Sequence, residues 1–130
     1  MLICLAVLLG SCKKNTVQPP IANATIKGTW ELRATRGGNI EPATYPQDNG
    51  HIVSFGNTTF AQYIGNTVIE SGSYKLSSNG QSQFTIVPTN NTTTAINLAI
   101  INRDTLELFP INPDVASSFY VKTSSTPLAN

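Results

Sequence analysis

At 130 residues the chain is long enough for one domain and too short for two ordinary ones. Hydrophobic residues make up 40% of it and charged residues only 12%, about half the usual share, so a packed core is possible and Asn, Thr and Ser must supply the polar surface. A net charge of +1 with no Lys/Arg cluster argues against electrostatic capture of nucleic acid.

The chain opens on a continuous apolar run, Leu2 to Leu9. It is too short to span a bilayer as a helix, which needs about 20 residues. It fits the apolar core of a secretory signal. Nothing before Leu2 is charged, so the basic segment that normally precedes such a run is expected upstream of Met1. Leu9-Gly10-Ser11-Cys12 then resembles the bacterial lipobox. The small residues let a peptidase grip the chain, and the Cys12 thiol accepts the diacylglycerol. Cys4 would leave with the signal, and no cysteine would remain for a disulfide or a thiolate metal site. Acyl chains on Cys12 would hold the protein stably on a membrane.

Residues 12–25 are polar, end their first half in Pro19-Pro20 and show no period, so they read as a tether. The strands begin at Ile26. Ile26, Gly28, Trp30 and Leu32 fall on one face at period two, against Lys27, Thr29, Glu31 and Arg33. Gly28 leaves room beside the indole or lets the strand bend. From Gly37 to Gly50 no apolar period appears, and Pro42 and Pro46 break any ladder. A loop of this length suits a lid or a binding loop, and Tyr45 is its one aromatic residue.

Short alternating stretches follow at 52–55, 59–64, 67–70, 74–76, 83–87, 94–101, 105–109 and 119–122. Gly56-Asn57, Gly65-Asn66 and Asn79-Gly80 punctuate them as turns, and Gly72 reads as a bulge. The expected inward set is Val53, Phe55, Tyr74, Leu76, Phe84, Ile86, Ile96, Leu98, Ile100, Leu106 and Leu108. No segment has helical period and length. The pattern predicts an all-β domain: a small antiparallel barrel of about eight up-and-down strands, or a sandwich. Closure into a barrel removes exposed edges.

Catalytic chemistry has little to rest on. His51 is the only histidine, and its neighbours place it at a strand start. Glu70, Glu107, Asp104 and Asp114 show no spacing that favours a carboxylate pair. There is no phosphate-binding glycine loop and no nucleophile elbow. The expectation is a non-enzyme without metal or cofactor.

Gly28-Thr29-Trp30, opening the first strand, resembles the Gly-Xaa-Trp signature of lipocalins. More closely, the chain resembles the small lipocalin-like lipoproteins of Bacteroidetes-type bacteria. Ser11-Cys12-Lys13-Lys14, Gly72-Ser73-Tyr74-Lys75-Leu76 and Asp104-Thr105-Leu106-Glu107-Leu108 also carry that resemblance. It covers roughly Ile26 to Lys122 and implies an eight-stranded lipocalin-like barrel over 26–123, after a signal at 1–11 and a lipidated tether at 12–25, with a tail at 124–130. It implies that Trp30 closes the bottom of the barrel under a basic side chain, Lys122 or Arg103. It departs from lipocalins in lacking a cysteine pair and a C-terminal helix.

Two functions compete. One is a lipid-anchored module of the cell envelope that binds a small hydrophobic ligand, with Tyr45 above an aromatic wall of Phe55, Tyr74 and Phe84 and with Gln62 or Asn97 as polar contacts. The other is a filled barrel whose loops contact another envelope component. Lys13-Lys14-Asn15 lacks an acidic cluster, which points to the periplasmic face of the outer membrane.

Overall fold

The computed structural model describes residues 26–78, 82–89 and 97–129. Cys12, the signal, the tether, the Asn79-Gly80 turn and Ile96 lie outside them. The strands are β1 Gly28–Arg36, β2 Ala43–Thr44, β3 His51–Phe55, β4 Thr59–Ile64, β5 Thr67–Ser78, β6 Gln83–Pro88, β7 Asn97–Asn102, β8 Thr105–Pro110 and β9 Ser117–Ser124. Every pairing is antiparallel. From β3 onward each strand pairs with the next in sequence, and β1 pairs with both β3 and β9. The result is a closed eight-stranded up-and-down barrel of the lipocalin-like kind, with β2 as one extra short strand. Closure leaves no free edge where β1 meets β9, the most extensive junction of the barrel.

The core follows the alternation, except that Leu76, expected inward, is 40% exposed near the closed end. Trp30, Val53, Ile101 and Leu106 are the largest fully buried side chains. Phe55, Phe60, Tyr74 and Ile86 join them, and Phe84 and Tyr120 pack against the cluster. Each large side chain taken from water contributes roughly 1.5–3 kcal/mol.

Trp30 seals one end. Its Nε1 donates to the Ile26 carbonyl at 2.7 Å, and the Lys122 ammonium lies 4.7 Å from the ring centroid. Lys122, not Arg103, is therefore the basic cover; Arg103 sits in the β7–β8 turn with φ 55. Gly28 has φ 136, and a Cβ there would meet the Ser124 carbonyl oxygen at 2.5 Å. Glycine is needed for the backbone conformation and for the close approach of β9. We call this the closed end; the turns at 56–58 and 103–104 share it, and the loops at 37–50 and 111–116 lie at the opposite end, the mouth.

Three further expectations change. In β7 the inward residues are Ala99 and Ile101, 0% and 1% exposed, while Leu98 and Ile100 face out. Both faces of that strand are apolar, so alternation could not choose, and a one-residue slip reverses every side chain. Gly72 is no bulge: β5 runs unbroken from Thr67 to Ser78, and Gly72 pairs with Phe60. The irregularity lies between Gln62 and Tyr63, where the register leaves Ile69 as the extra residue.

The third change concerns the Gly37–Gly50 loop. Its second half returns along the barrel wall. Ala43 and Thr44 pair with Thr35 and Ala34, the Tyr45 amide donates to the Arg33 carbonyl at 2.8 Å, and Asn49 Nδ2 donates to the Leu32 carbonyl at 2.7 Å. This segment extends the sheet beside the upper part of β1, where β3 has not yet begun. Its tip leans on the β8–β9 loop, with the Asn39 amide 3.3 Å from the Asp114 carbonyl oxygen. The loop thus acts as part of the wall as well as of the rim.

Candidate functional site

Five strands converge on a pocket at the mouth. β1 supplies Leu32, β3 supplies His51 and Ile52, β4 supplies Gln62, Tyr63 and Ile64, and β5 and β9 supply Ile69 and Tyr120. Its volume is about 170 Å³. The register explains the convergence. Leu32 and Tyr120 are direct partners across β1 and β9, and His51 faces Ile64 across β3 and β4. Gln62 lies between Val53 and Glu70, just before the irregularity that pushes Ile69 out of line. Ile64 and Ile69 are about half exposed and form the rim, while Leu32 is buried and forms the base.

The polar groups sit among apolar ones. Burial is the main cause that raises the Tyr120 phenol pKa above its ordinary value. A hydrogen bond with Ser118 opposes the shift, and the nearby Tyr45 phenol adds to it. Tyr120 therefore keeps its O–H at neutral pH, available as a hydrogen-bond donor or acceptor. The Tyr45 ring lies 5.5 Å from the His51 ring, tilted by 47°. Two phenols, Tyr63 and Tyr120, one imidazole and one amide thus line the pocket with Leu32, Ile52, Ile64 and Ile69. That mixture suits an apolar body with one or two polar atoms.

The four aromatic residues expected at one site, Tyr45 above a wall of Phe55, Tyr74 and Phe84, are divided between two places. Tyr45 stands at the mouth beside His51. Phe55 packs edge-on against Tyr74 at 5.4 Å and lies 6.4 Å from Phe60. Phe84 packs against the same core cluster. Phe55 is four residues from His51 on β3, roughly 13 Å along the strand. The Tyr74 hydroxyl donates to the Gly56 carbonyl at 2.6 Å, and burial raises its pKa, which keeps that donor in place. Phe55, Tyr74 and Phe84 fill the closed half. The residues near the Tyr45 ring are instead His51 and Tyr120. Of the two polar groups offered by the sequence, Gln62 or Asn97, Gln62 lines the mouth pocket; that Leu32 and Tyr120 line it too depends on the β1–β9 register, which closes the barrel between residues far apart in sequence.

Among the described residues no three His, Cys, Asp or Glu side chains gather closely enough to hold a metal ion. No family model, curated protein or solved structure matches the chain.

Proposed function

We propose that the chain is a lipid-anchored, lipocalin-like protein of the cell envelope that binds a small hydrophobic molecule at the mouth of its barrel, without chemical turnover. The mouth pocket carries the reading. At about 170 Å³ it is smaller than the 300–1,000 Å³ typical of drug-sized ligands. It is close to an apolar cavity of about 150 Å³ that takes up benzene. The fitting ligand is a single ring with a hydroxyl or similar group facing His51, Gln62 or Tyr120.

Nuclear magnetic resonance titration with benzyl alcohol tests this. Saturable shifts at His51 and Tyr120 are expected with a Kd of about a millimolar or below, given the modest affinity a ligand of so few atoms can reach. Gln62→Trp should abolish them by filling the pocket. The second reading, a filled barrel that contacts an envelope partner, draws on the packed closed half. A parent protein with no saturable shift would favour it.

The anchor rests on Leu9-Gly10-Ser11-Cys12. Cys12→Ala is expected to lose both metabolic fatty-acid label and retention in the membrane fraction of the host. Label that persists on the alanine variant would refute lipidation at Cys12. The periplasmic face of the outer membrane is the proposed address, and protection of the domain from protease added to intact cells is the expected result.

A further inference from the structure

The charged side chains sort along the barrel axis. At the closed end lie Lys27 just before β1, Lys75 near the end of β5, Arg103 in the β7–β8 turn and Lys122 over Trp30. Asp104 is the one acid among them. In the middle, Glu31 pairs with Arg33 at 2.9 Å, and Glu107 feels the charge of Arg36. Towards the mouth lie Glu41, Asp48, Glu70 and Asp114. One end carries four bases against one acid; the other carries four acids against Arg36, the last residue of β1. The near-zero net charge conceals a strongly polarised molecule.

A second observation concerns chain entry. Ile26 lies beneath Trp30, its carbonyl bonded to the indole, so residues 1–25 join the domain at its basic end. Leu76, next to Lys75, adds an apolar side chain that is 40% exposed. We propose that the closed end is a membrane-facing surface that takes an anionic phospholipid bilayer and turns the mouth away from it.

Screening decides whether the acids at the mouth would cancel this attraction. β1 has nine residues. That is roughly 30 Å along the strand, or about 23 Å along the axis after the tilt usual in barrels. The Debye length at physiological salt is about 8 Å, so the mouth lies nearly three screening lengths from a bilayer touching the closed end. Only the closed end feels the lipid charge. Each base held near an anionic surface raises partitioning about fivefold, so the net excess at this end predicts roughly a hundredfold preference for anionic over neutral vesicles. A bilayer suits a broad end with an exposed leucine better than a nucleic acid, which would call for a phosphate-tracking groove with stacking aromatics.

The test uses the chain from position 12 onward with Cys12→Ser, which carries neither lipid nor the apolar run Leu2 to Leu9, and flotation with phosphatidylcholine vesicles with and without phosphatidylglycerol. Its result is therefore independent of the anchor and of ligand binding. The expected result is a preference for the anionic vesicles on the order of a hundredfold at low salt, lost at high salt. Lys75→Gln combined with Arg103→Asn should lower it about 25-fold, and Lys75→Arg combined with Arg103→Lys should keep it. Both side chains are exposed, so the variants should keep the parent's circular dichroism. Glu41→Gln at the mouth should change it by less than about twofold. The proposal is overturned by equal binding to both vesicles, or by loss of all preference in Lys13→Gln with Lys14→Gln while the closed-end variant binds like the parent. It is also overturned if Glu41→Gln matters as much as the closed-end pair, or if a DNA duplex competes the vesicles away.

Discussion

Replacing Trp30 with alanine is expected to unfold most of the protein at growth temperature. The indole is 0% exposed and belongs to the main core cluster. Truncation of a buried Trp typically costs about 3–5 kcal/mol through lost burial and the cavity left behind. Here the Ile26 carbonyl also loses its donor, and the Lys122 ammonium loses the ring beneath it. Total stability of a domain is about 5–15 kcal/mol, so little would remain. Thermal denaturation followed by circular dichroism should show a midpoint lowered by tens of degrees, about 4–8 °C for each kcal/mol in a domain of this size. Trp30→Phe keeps most of the apolar surface and drops only the N–H, so it should fall between parent and alanine variant. An unchanged midpoint in Trp30→Ala would mean that the ring does not close the barrel.

Trp30 was legible because its strand alternates cleanly and one face is plainly apolar. The same holds for Val53 with Phe55, Phe84 with Ile86, and Leu106 with Leu108, all of which the barrel turns inward. The β7 register was not legible, since Leu98, Ala99, Ile100 and Ile101 offer apolar groups to both faces. The length of β5 was not legible either, because Ser71-Gly72-Ser73 looks like a break. Its continuity depends on β4 and β6 pairing with different halves of one strand.

Alternation also assigns Thr29, Glu31 and Ser54 to solvent, yet they are 5%, 4% and 3% exposed. Distant segments cover them. The Thr29 hydroxyl donates to the Thr126 carbonyl at 2.8 Å, and the Leu128 amide donates to the Ser54 hydroxyl at 2.8 Å. The tail straps the outside of β1 and β3, a contact that no local pattern reveals. The mouth pocket was hidden for a related reason. Its members come from five strands, and two of them, Leu32 and Tyr120, meet only when the barrel closes.

Glu31→Ala should destabilise the barrel by about 2–3 kcal/mol, somewhat below the 3–5 kcal/mol typical when one partner of a fully buried ion pair is removed. The discount reflects Arg33, whose side chain is 27% exposed against 5% for Glu31. Glu31 Oε1 does two things: it faces the Arg33 guanidinium at 2.9 Å and accepts from the Asp48 amide at 3.0 Å. Arg33 Nε is already buried with no hydrogen-bond partner among the described residues, so its head depends on that carboxylate. Removing Glu31 strands a largely covered cation and releases Asp48, whose φ of 59 marks a tight turn in the segment that leads to His51. Glu31→Gln keeps an acceptor for the Asp48 amide and loses only the charge, so it should cost less than Glu31→Ala. Changing both partners, Glu31→Leu with Arg33→Met, should recover most of the stability because neither charge is then left alone. A double-mutant cycle on melting free energies measures the pair directly. The loop bond carries the consequence for the site. Amide hydrogen exchange at Asp48 and nearby positions should quicken in Glu31→Ala, and benzyl alcohol should bind more weakly as the Tyr45 and His51 rings lose their support. An alanine variant with parental stability and unchanged exchange at Asp48 would show that the loop is held by Asn49 and β2 alone.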